Sequence, residues 1–248
     1  MEVWITLSVI FMIIYVYSKR GIFGSLAWTL FALACLSKVP DYIVGGDYYN
    51  TTVFTLGFLF FLLLAYSVFK SNSAVFVEVT SFSALACLFY FPFAFNLTLK
   101  HTIIYITAHL TASLGNMLGY PMEVNGAFIT IDNKSVEIIL ACTAIESMAL
   151  FAGATLGIRA NASKRIKAFV ASVPVIYVLN LLRNVFVMVS FAYEWFGENS
   201  FYIAHHIVAK ILSTIALILI AFAVFRILPE LADLIYSLKN EIIRSVRA

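Results

Sequence analysis

The chain has 248 residues, of which 62% are hydrophobic and only 12% are charged, and its formal net charge is +3. In soluble domains about a quarter of all residues are charged, so this composition excludes an ordinary soluble protein. The small net charge gives no reason to expect a nucleic-acid partner. Because apolar runs of about 20 residues are long enough to cross a bilayer, the sequence predicts an all-α polytopic membrane protein.

Seven apolar spans are predicted along the chain. They cover residues 3–18, 21–37, 52–69, 73–95, 136–157, 168–191 and 202–226. Neither an internal repeat nor a low-complexity linker divides them, so we expect one integral membrane domain. Its four segments are generic N-terminal spans (1–95), an extracytoplasmic or interfacial segment (96–135), the spans that carry the candidate site (136–226) and a cytoplasmic amphipathic tail (227–248).

The longest region between spans has two different halves. Residues 97–118 mix Lys, His and Thr with apolar residues and predict an interfacial or re-entrant helix. Residues 120–138 alternate in polarity and contain an Asp-Asn pair at 132–133, which predicts a small hairpin.

Basic residues indicate how the chain is oriented. Lys and Arg are concentrated after the first, third, fifth and seventh spans, most densely in the loop RANASKRIK. Short loops rich in these residues stay in the cytoplasm. We therefore predict an extracytoplasmic N-terminus and a cytoplasmic C-terminus.

This orientation brings three reactive residue types to one side of the membrane. Cys142 falls about 9 Å inside the fifth span, and Arg183 about 14 Å below the outer end of the sixth. His205 and His206 lie within about one turn of the outer end of the seventh. The predicted site therefore lies in the outer third of the bilayer.

The three residue types complement one another chemically. A thiol becomes a strong nucleophile when a cation or imidazole favours the thiolate, and an imidazole can pass the proton to a leaving group. An arginine stays protonated and can stabilise an oxyanion. Helix geometry does not decide between His205 and His206. Lys210, four residues after His206, disfavours an imidazolium there and thus favours His205.

A structural role for the same residues is the main alternative. Arg183 can pair with Glu146, predicted one helical turn below Cys142 on the same face. The chain would then be a transporter or channel subunit, or a non-catalytic scaffold. Asn180 and Asn184 would either orient Arg183 or form ordinary interhelical hydrogen bonds.

The remaining cysteines give no sign of a metal or cofactor site. Cys35, Cys87 and Cys142 form no CxxC pair and lie in different apolar segments. A disulfide framework or zinc site is therefore not predicted, and no cofactor is expected. Cys35 and Cys87 are interpreted as small buried hydrophobic residues.

The run ACTAIESMALFAG at 141–153 is followed by NLLR at 180–183 and AHHIVAK at 204–210. This order resembles the exosortase/archaeosortase family, most closely its archaeal branch, over roughly residues 95–230. With Ile145 and Met148, the first run most resembles the type of this family that serves PGF-type C-terminal signals.

The resemblance implies a membrane cysteine transpeptidase that acts on secreted surface proteins. Its substrates carry a C-terminal sorting signal, made of a short motif, an apolar helix and a basic tail. The enzyme would cleave near the motif and transfer the new C-terminus to a membrane lipid. By the same resemblance Cys142 is the nucleophile, Arg183 the oxyanion or substrate stabiliser, and His205 the acid/base, with His206 as a second candidate. The extracytoplasmic segment is then expected to help shape the motif pocket.

Overall fold

The structure is a computed structural model that describes residues 1–247, most of which are helical. In chain order its elements are α1 (Glu2–Ser18), α2 (Gly21–Leu36), α3 (Val39–Val44), α4 (Tyr48–Ser71), α5 (Ala74–Phe95), α6 (Leu97–Met117), β1 (Glu123–Asn125), β2 (Phe128–Ile131), β3 (Lys134–Glu137), a 3₁₀ turn (Leu140–Thr143), α7 (Ile145–Leu156), α8 (Ala162–Ala192), a second 3₁₀ turn (Gly197–Asn199), α9 (Ser200–Tyr202), a π-helical segment (Ile203–Val208), α10 (Ala209–Ile227) and α11 (Pro229–Arg247). The predicted all-α fold with a small hairpin region is confirmed.

Several helices are long and apolar enough to cross a membrane. Among the described residues these are the stretches Gly21–Val44, Tyr48–Ser71, Ala74–Phe95, Ala162–Ala192 and Gly197–Ile227. The shorter apolar helices α1 and α7 correspond to the other two predicted spans. The chain is a multi-pass integral membrane protein. Residues 97–118 do form a helix, α6, and their interfacial or re-entrant position remains a prediction.

The chain divides into two compact units. The first contains residues 1–88, residues 153–161 and helix α11. Inside it the indole of Trp28 donates to Thr80 at 3.0 Å, and the hydroxyl of Tyr15 donates to Asn72 at 3.0 Å. Gly24 allows close packing, since a Cβ there would lie 2.7 Å from Tyr15. None of the candidate site residues belongs to this unit.

The second unit, residues 89–152 and 162–228, contains every candidate site residue. Its core consists of small and branched apolar side chains from α6, the sheet and α8. Ile129 and Ile131 of β2 are each 1% exposed, and Val185 and Met188 of α8 are also buried. Cys142 belongs to the same core cluster.

The predicted hairpin is confirmed and carries a third strand. The order is β1-β2-β3 and both pairings are antiparallel. Ile131 pairs with Lys134, so Asp132 and Asn133 form the two-residue turn. Asp132 has a φ of 52°, which Asp and Asn tolerate better than most residues.

The predicted start of the fifth span is wrong. Residues 134–137 form β3, and the helix begins only at Ile145. The ladder to β2 pairs alternate main-chain groups of this stretch, and three of its four residues are polar or charged, so no apolar helix begins here. The predicted depth of Cys142, which assumed a helix from Val136, therefore loses its basis.

Candidate active site

Cys142 lies in the 3₁₀ turn of residues 140–143, which we call the cysteine turn. Its amide donates to the oxygen of Ile139 at 2.8 Å, and the hydroxyl of Thr143 donates to the oxygen of Leu140 at 2.7 Å. Ala144, which follows, has a φ of 57°. A non-glycine residue in this region is strained by about 1 kcal/mol or more. The strained residue separates the cysteine turn from α7.

Two asparagines of α8 hold the cysteine turn. The side-chain amides of Asn180 and Asn184 donate to the main-chain oxygen of Cys142 at 2.7 Å and 3.0 Å. The two residues are four apart and therefore lie on one helical face. We call these two hydrogen bonds the asparagine clamp. Because a carbonyl oxygen has two lone pairs, the clamp satisfies this oxygen fully.

The clamp also connects the cysteine turn to Arg183. The guanidinium Nη1 of Arg183 donates to Oδ1 of Asn184 at 3.3 Å. Asn184 thus contacts the main chain of Cys142 with one end of its amide and the arginine with the other. This geometry fixes the amide orientation, since only the nitrogen can donate to Cys142.

Arg183 lines an apolar cavity of about 620 Å³ formed by the cysteine turn, α7, α8 and α10. Ala141 and Ala144, which flank Cys142 on both sides, also line it. Lys210 of α10 supplies a second cation, and the lining includes no acidic side chain of the described chain. We call this space the membrane cavity, because α8 and α10 belong to candidate spans.

The two histidines lie in the π-helical segment 203–208. The ring of His205 stacks on Phe201 at 5.3 Å and lies 4.7 Å from the ring of His206. Its Nδ1 is buried and finds no hydrogen-bond partner within residues 1–247. Arg183, His206 and Lys210 all act on it electrostatically. Such π-helical turns are frequent at functional sites.

An ion pair anchors the sheet beside this region. Lys134 of β3 donates to Glu194 at 2.6 Å and to the main-chain oxygen of Phe191 at 3.1 Å. The hydrogen bond and the charge of Lys134 lower the pKa of Glu194. The Phe191 ring lies 5.4 Å from Phe201, which in turn stacks on His205. The sheet is therefore connected through aromatic contacts to the histidine segment.

Comparison with known proteins identifies the family. The sequence profile described as Transmembrane exosortase matches residues 3–222. The chain belongs to the transmembrane exosortase family. Archaeosortase A of Haloferax volcanii is 26% identical over 264 residues, covering 87% of this chain and 87% of that protein. Archaeosortase A of Natronomonas pharaonis is 22% identical over 240 residues, covering 84% of this chain and 76% of that protein.

No solved structure matches the chain. The resemblance predicted from the cysteine, arginine and histidine runs is confirmed at the level of the family.

In this chain the predicted site residues are brought together only in part. Cys142 and Arg183 are connected through Asn184, and Arg183 is close enough to His205 to act on it. Neither histidine forms a hydrogen bond to Cys142 within the described chain. Cys142 is 8% exposed.

The alternative ion pair between Arg183 and Glu146 is not formed in the described part of the chain. Glu146 instead accepts a hydrogen bond from the hydroxyl of Tyr90 at 3.1 Å. The prediction that Glu146 lies one turn below Cys142 in one helix is also wrong, because Cys142 lies in the turn before α7.

Two features of the site have no signal in the sequence. The sequence predicts that Asn180 and Asn184 orient Arg183 or form interhelical hydrogen bonds, and Asn184 does contact Arg183. Both amides also donate to the main-chain oxygen of Cys142, which the sequence does not indicate. The π-helical segment has no sequence signal. In a regular helix Lys210 shares the face of His206. In the wider π-helical turn its charge also acts electrostatically on His205.

Proposed function

We propose that this exosortase-family protein is a membrane cysteine transpeptidase that removes a C-terminal sorting signal and transfers the new C-terminus to a membrane lipid. The observation that carries this proposal is the asparagine clamp. It holds the cysteine turn against α8, next to the guanidinium of Arg183 and beside the membrane cavity. A cysteine turn that is anchored and linked through Asn184 to a permanent cation suits acyl transfer, which needs a positioned nucleophile and a group that stabilises an oxyanion.

The first half-reaction forms a thioester. The thiol proton of Cys142 passes to His205, with His206 as the alternative base, and Sγ attacks the carbonyl carbon of the scissile amide. Negative charge develops on the carbonyl oxygen, which Arg183 stabilises. When the C–N bond breaks, the imidazolium returns its proton to the leaving amine. The departing product is the apolar helix with its basic tail.

The second half-reaction releases the acyl group. A hydroxyl or amine of a membrane lipid attacks the thioester carbon and gives its proton to the imidazole. The C–S bond breaks and the thiolate of Cys142 takes that proton back. Attack by water in the same position would give a free carboxylate instead, so the nucleophile alone decides between transfer and hydrolysis.

The membrane cavity supports a substrate that lies within the bilayer. Its walls are mainly apolar, as an inserted helix or a lipid chain requires, and Arg183 and Lys210 supply positive charge. Charges inside a membrane usually mark a substrate path. We place this site on the extracytoplasmic side, with the N-terminus outside and the C-terminus in the cytoplasm, because of the distribution of basic loops.

Catalysis requires that Cys142 become accessible. At 8% exposure in an apolar core, its thiol meets little solvent before substrate binds.

The proposal is tested by mass spectrometry of a reporter bearing a C-terminal motif, an apolar helix and a basic tail. The reporter is co-expressed with the wild-type enzyme or with Cys142→Ala. We expect loss of the tail and gain of a lipid mass with the wild type only. Tail loss without added mass would show a protease, and identical reporters in both strains would contradict the proposed function.

A further inference from the structure

A second, more polar cleft lies beside the cysteine turn. It has a volume of about 970 Å³, at the upper end of the range of ligand sites. One wall is the N-terminal half of α6, with Lys100 and His101, and another is the outer face of the sheet, with Ser135 and Glu137. We call it the sheet cleft. Charges of both signs and mixed polarity suit a polypeptide better than an acyl chain.

The ladder leaves main-chain groups free along this cleft. Antiparallel pairs alternate between hydrogen-bonded and non-hydrogen-bonded residues. Since Ile131 and Lys134 flank the two-residue turn and Ile138 donates to Ala127, the alternation turns the N–H and C=O groups of Ser135 and Glu137 away from β2. Both residues are exposed. The outer edge of β3 can therefore accept another strand.

The sheet cleft and the membrane cavity both border the cysteine turn. Leu140 and Ala141 line the sheet cleft, while Ala141 and Ala144 line the membrane cavity. Ala141 is thus shared, and Cys142 is the next residue. A chain that passes from the polar space to the apolar one must pass the cysteine turn.

We propose that the sheet cleft binds, in extended form, the polypeptide segment that leads into a membrane-embedded helix, with the edge of β3 as its main-chain partner. This inference rests on the proposed function and specifies where it binds the polar part of its substrate. The positions of the two spaces set the direction of the bound chain. Residues before the scissile bond lie along Ser135 and Glu137, and the helix after it enters the membrane cavity.

Photo-crosslinking tests the site without requiring turnover. A photoreactive phenylalanine analogue replaces Phe128, which lines the cleft and is 46% exposed, in a Cys142→Ala enzyme co-expressed with the reporter. The matched control carries the analogue at Tyr236 of α11, which is 70% exposed. We expect a crosslink to the polar segment of the reporter from position 128 and none from position 236. Equal crosslinking from positions 128 and 236, or no crosslink from position 128, would overturn the proposal that the sheet cleft binds the reporter.

A pair of proline variants tests the edge of β3 in the active enzyme. Ser135→Pro removes an outward N–H from this edge, and Val124→Pro removes one from the opposite edge strand β1. We expect Ser135→Pro to reduce reporter processing about fivefold to tenfold, since one main-chain hydrogen bond to substrate is lost. Equal losses in both variants would overturn the role of β3.

The two proposals fail in different ways. A crosslink at position 128 together with an unprocessed reporter in the wild-type strain would contradict the proposed transpeptidase activity. It would still support the proposal that the sheet cleft binds the polar segment. A reporter that is processed without that crosslink would contradict the proposed role of the sheet cleft and still support the proposed transpeptidase activity.

Discussion

The side-chain amide of Asn184 donates a hydrogen bond of 3.0 Å to the main-chain oxygen of Cys142. The same amide accepts from Arg183, so one side chain sets the position of both groups. Asn184 is buried, at 6% exposure, and a buried amide without partners would be destabilising. The relationship gives Asn184 a positioning role, since it acts through Cys142 and Arg183 and not on the substrate itself.

Replacing Asn184 by leucine keeps the side-chain size and removes both hydrogen bonds. We expect processing of the reporter to fall about tenfold or more, because the cysteine turn and the guanidinium lose their common support. The rate of Cys142 alkylation should change as well when equal amounts of folded protein are compared, which loss of folded protein alone would not cause. Thr107→Val is the control, since it removes another contact of this unit, the 3.2 Å one to Tyr177. A variant indistinguishable from Thr107→Val in both measurements would refute the positioning role.

Thiol labelling separates reactivity from exposure. Cys35 is partly exposed, whereas Cys87 and Cys142 are each 8% exposed. Exposure alone predicts that a membrane-permeant maleimide modifies Cys35 first. If Cys142 is the nucleophile, we expect a substrate-derived electrophilic peptide to reverse this order and modify Cys142 alone, as read by peptide mass spectrometry. Modification of Cys35 or Cys87 by the same peptide at an equal rate would argue against the assignment.

The strained residue after the cysteine turn gives a stability prediction. Ala144 has a positive φ that glycine adopts without strain. Ala144→Gly should leave the melting temperature and activity nearly unchanged or slightly raised, because relief of strain of about 1 kcal/mol offsets the greater entropy of the unfolded chain. Ala144→Val should lower the melting temperature and displace the cysteine turn. Equal stability of the two variants would show that the backbone there is unstrained.

The anchor of the sheet should depend on pH. Because Lys134 lowers the pKa of Glu194, the ion pair contributes fully above the ordinary carboxyl pKa of about 4.3 and is lost as the pH falls through the lowered value. At low salt we expect lower protection of the β3 amides under these acidic conditions, with exchange expressed relative to the intrinsic rate at each pH. Glu194→Gln should show the lower protection, and hence faster exchange, already at neutral pH. Unchanged exchange in that variant would mean that the pair does not hold the sheet.

The sequence allowed the apolar helices and the hairpin to be predicted, because apolar length and turn residues are local signals. The asparagine clamp was not predictable, because its acceptor is a main-chain oxygen that only the tertiary fold brings to α8. The late start of α7, at Ile145, was not predictable for a related reason. Apolar residues after Val136 suit a strand and a turn as well as a helix, and periodicity does not distinguish short runs.

Hydroxylamine trapping of the acyl group is the most direct test of the central claim. Hydroxylamine attacks a thioester much as the acceptor would, so the reporter should gain a C-terminal hydroxamate in membranes that contain the wild-type enzyme. The new C-terminus, read by mass spectrometry, should carry this group in the wild type and be absent with Cys142→Ala. A reporter that is cleaved and converted to the hydroxamate by Cys142→Ala would contradict the account.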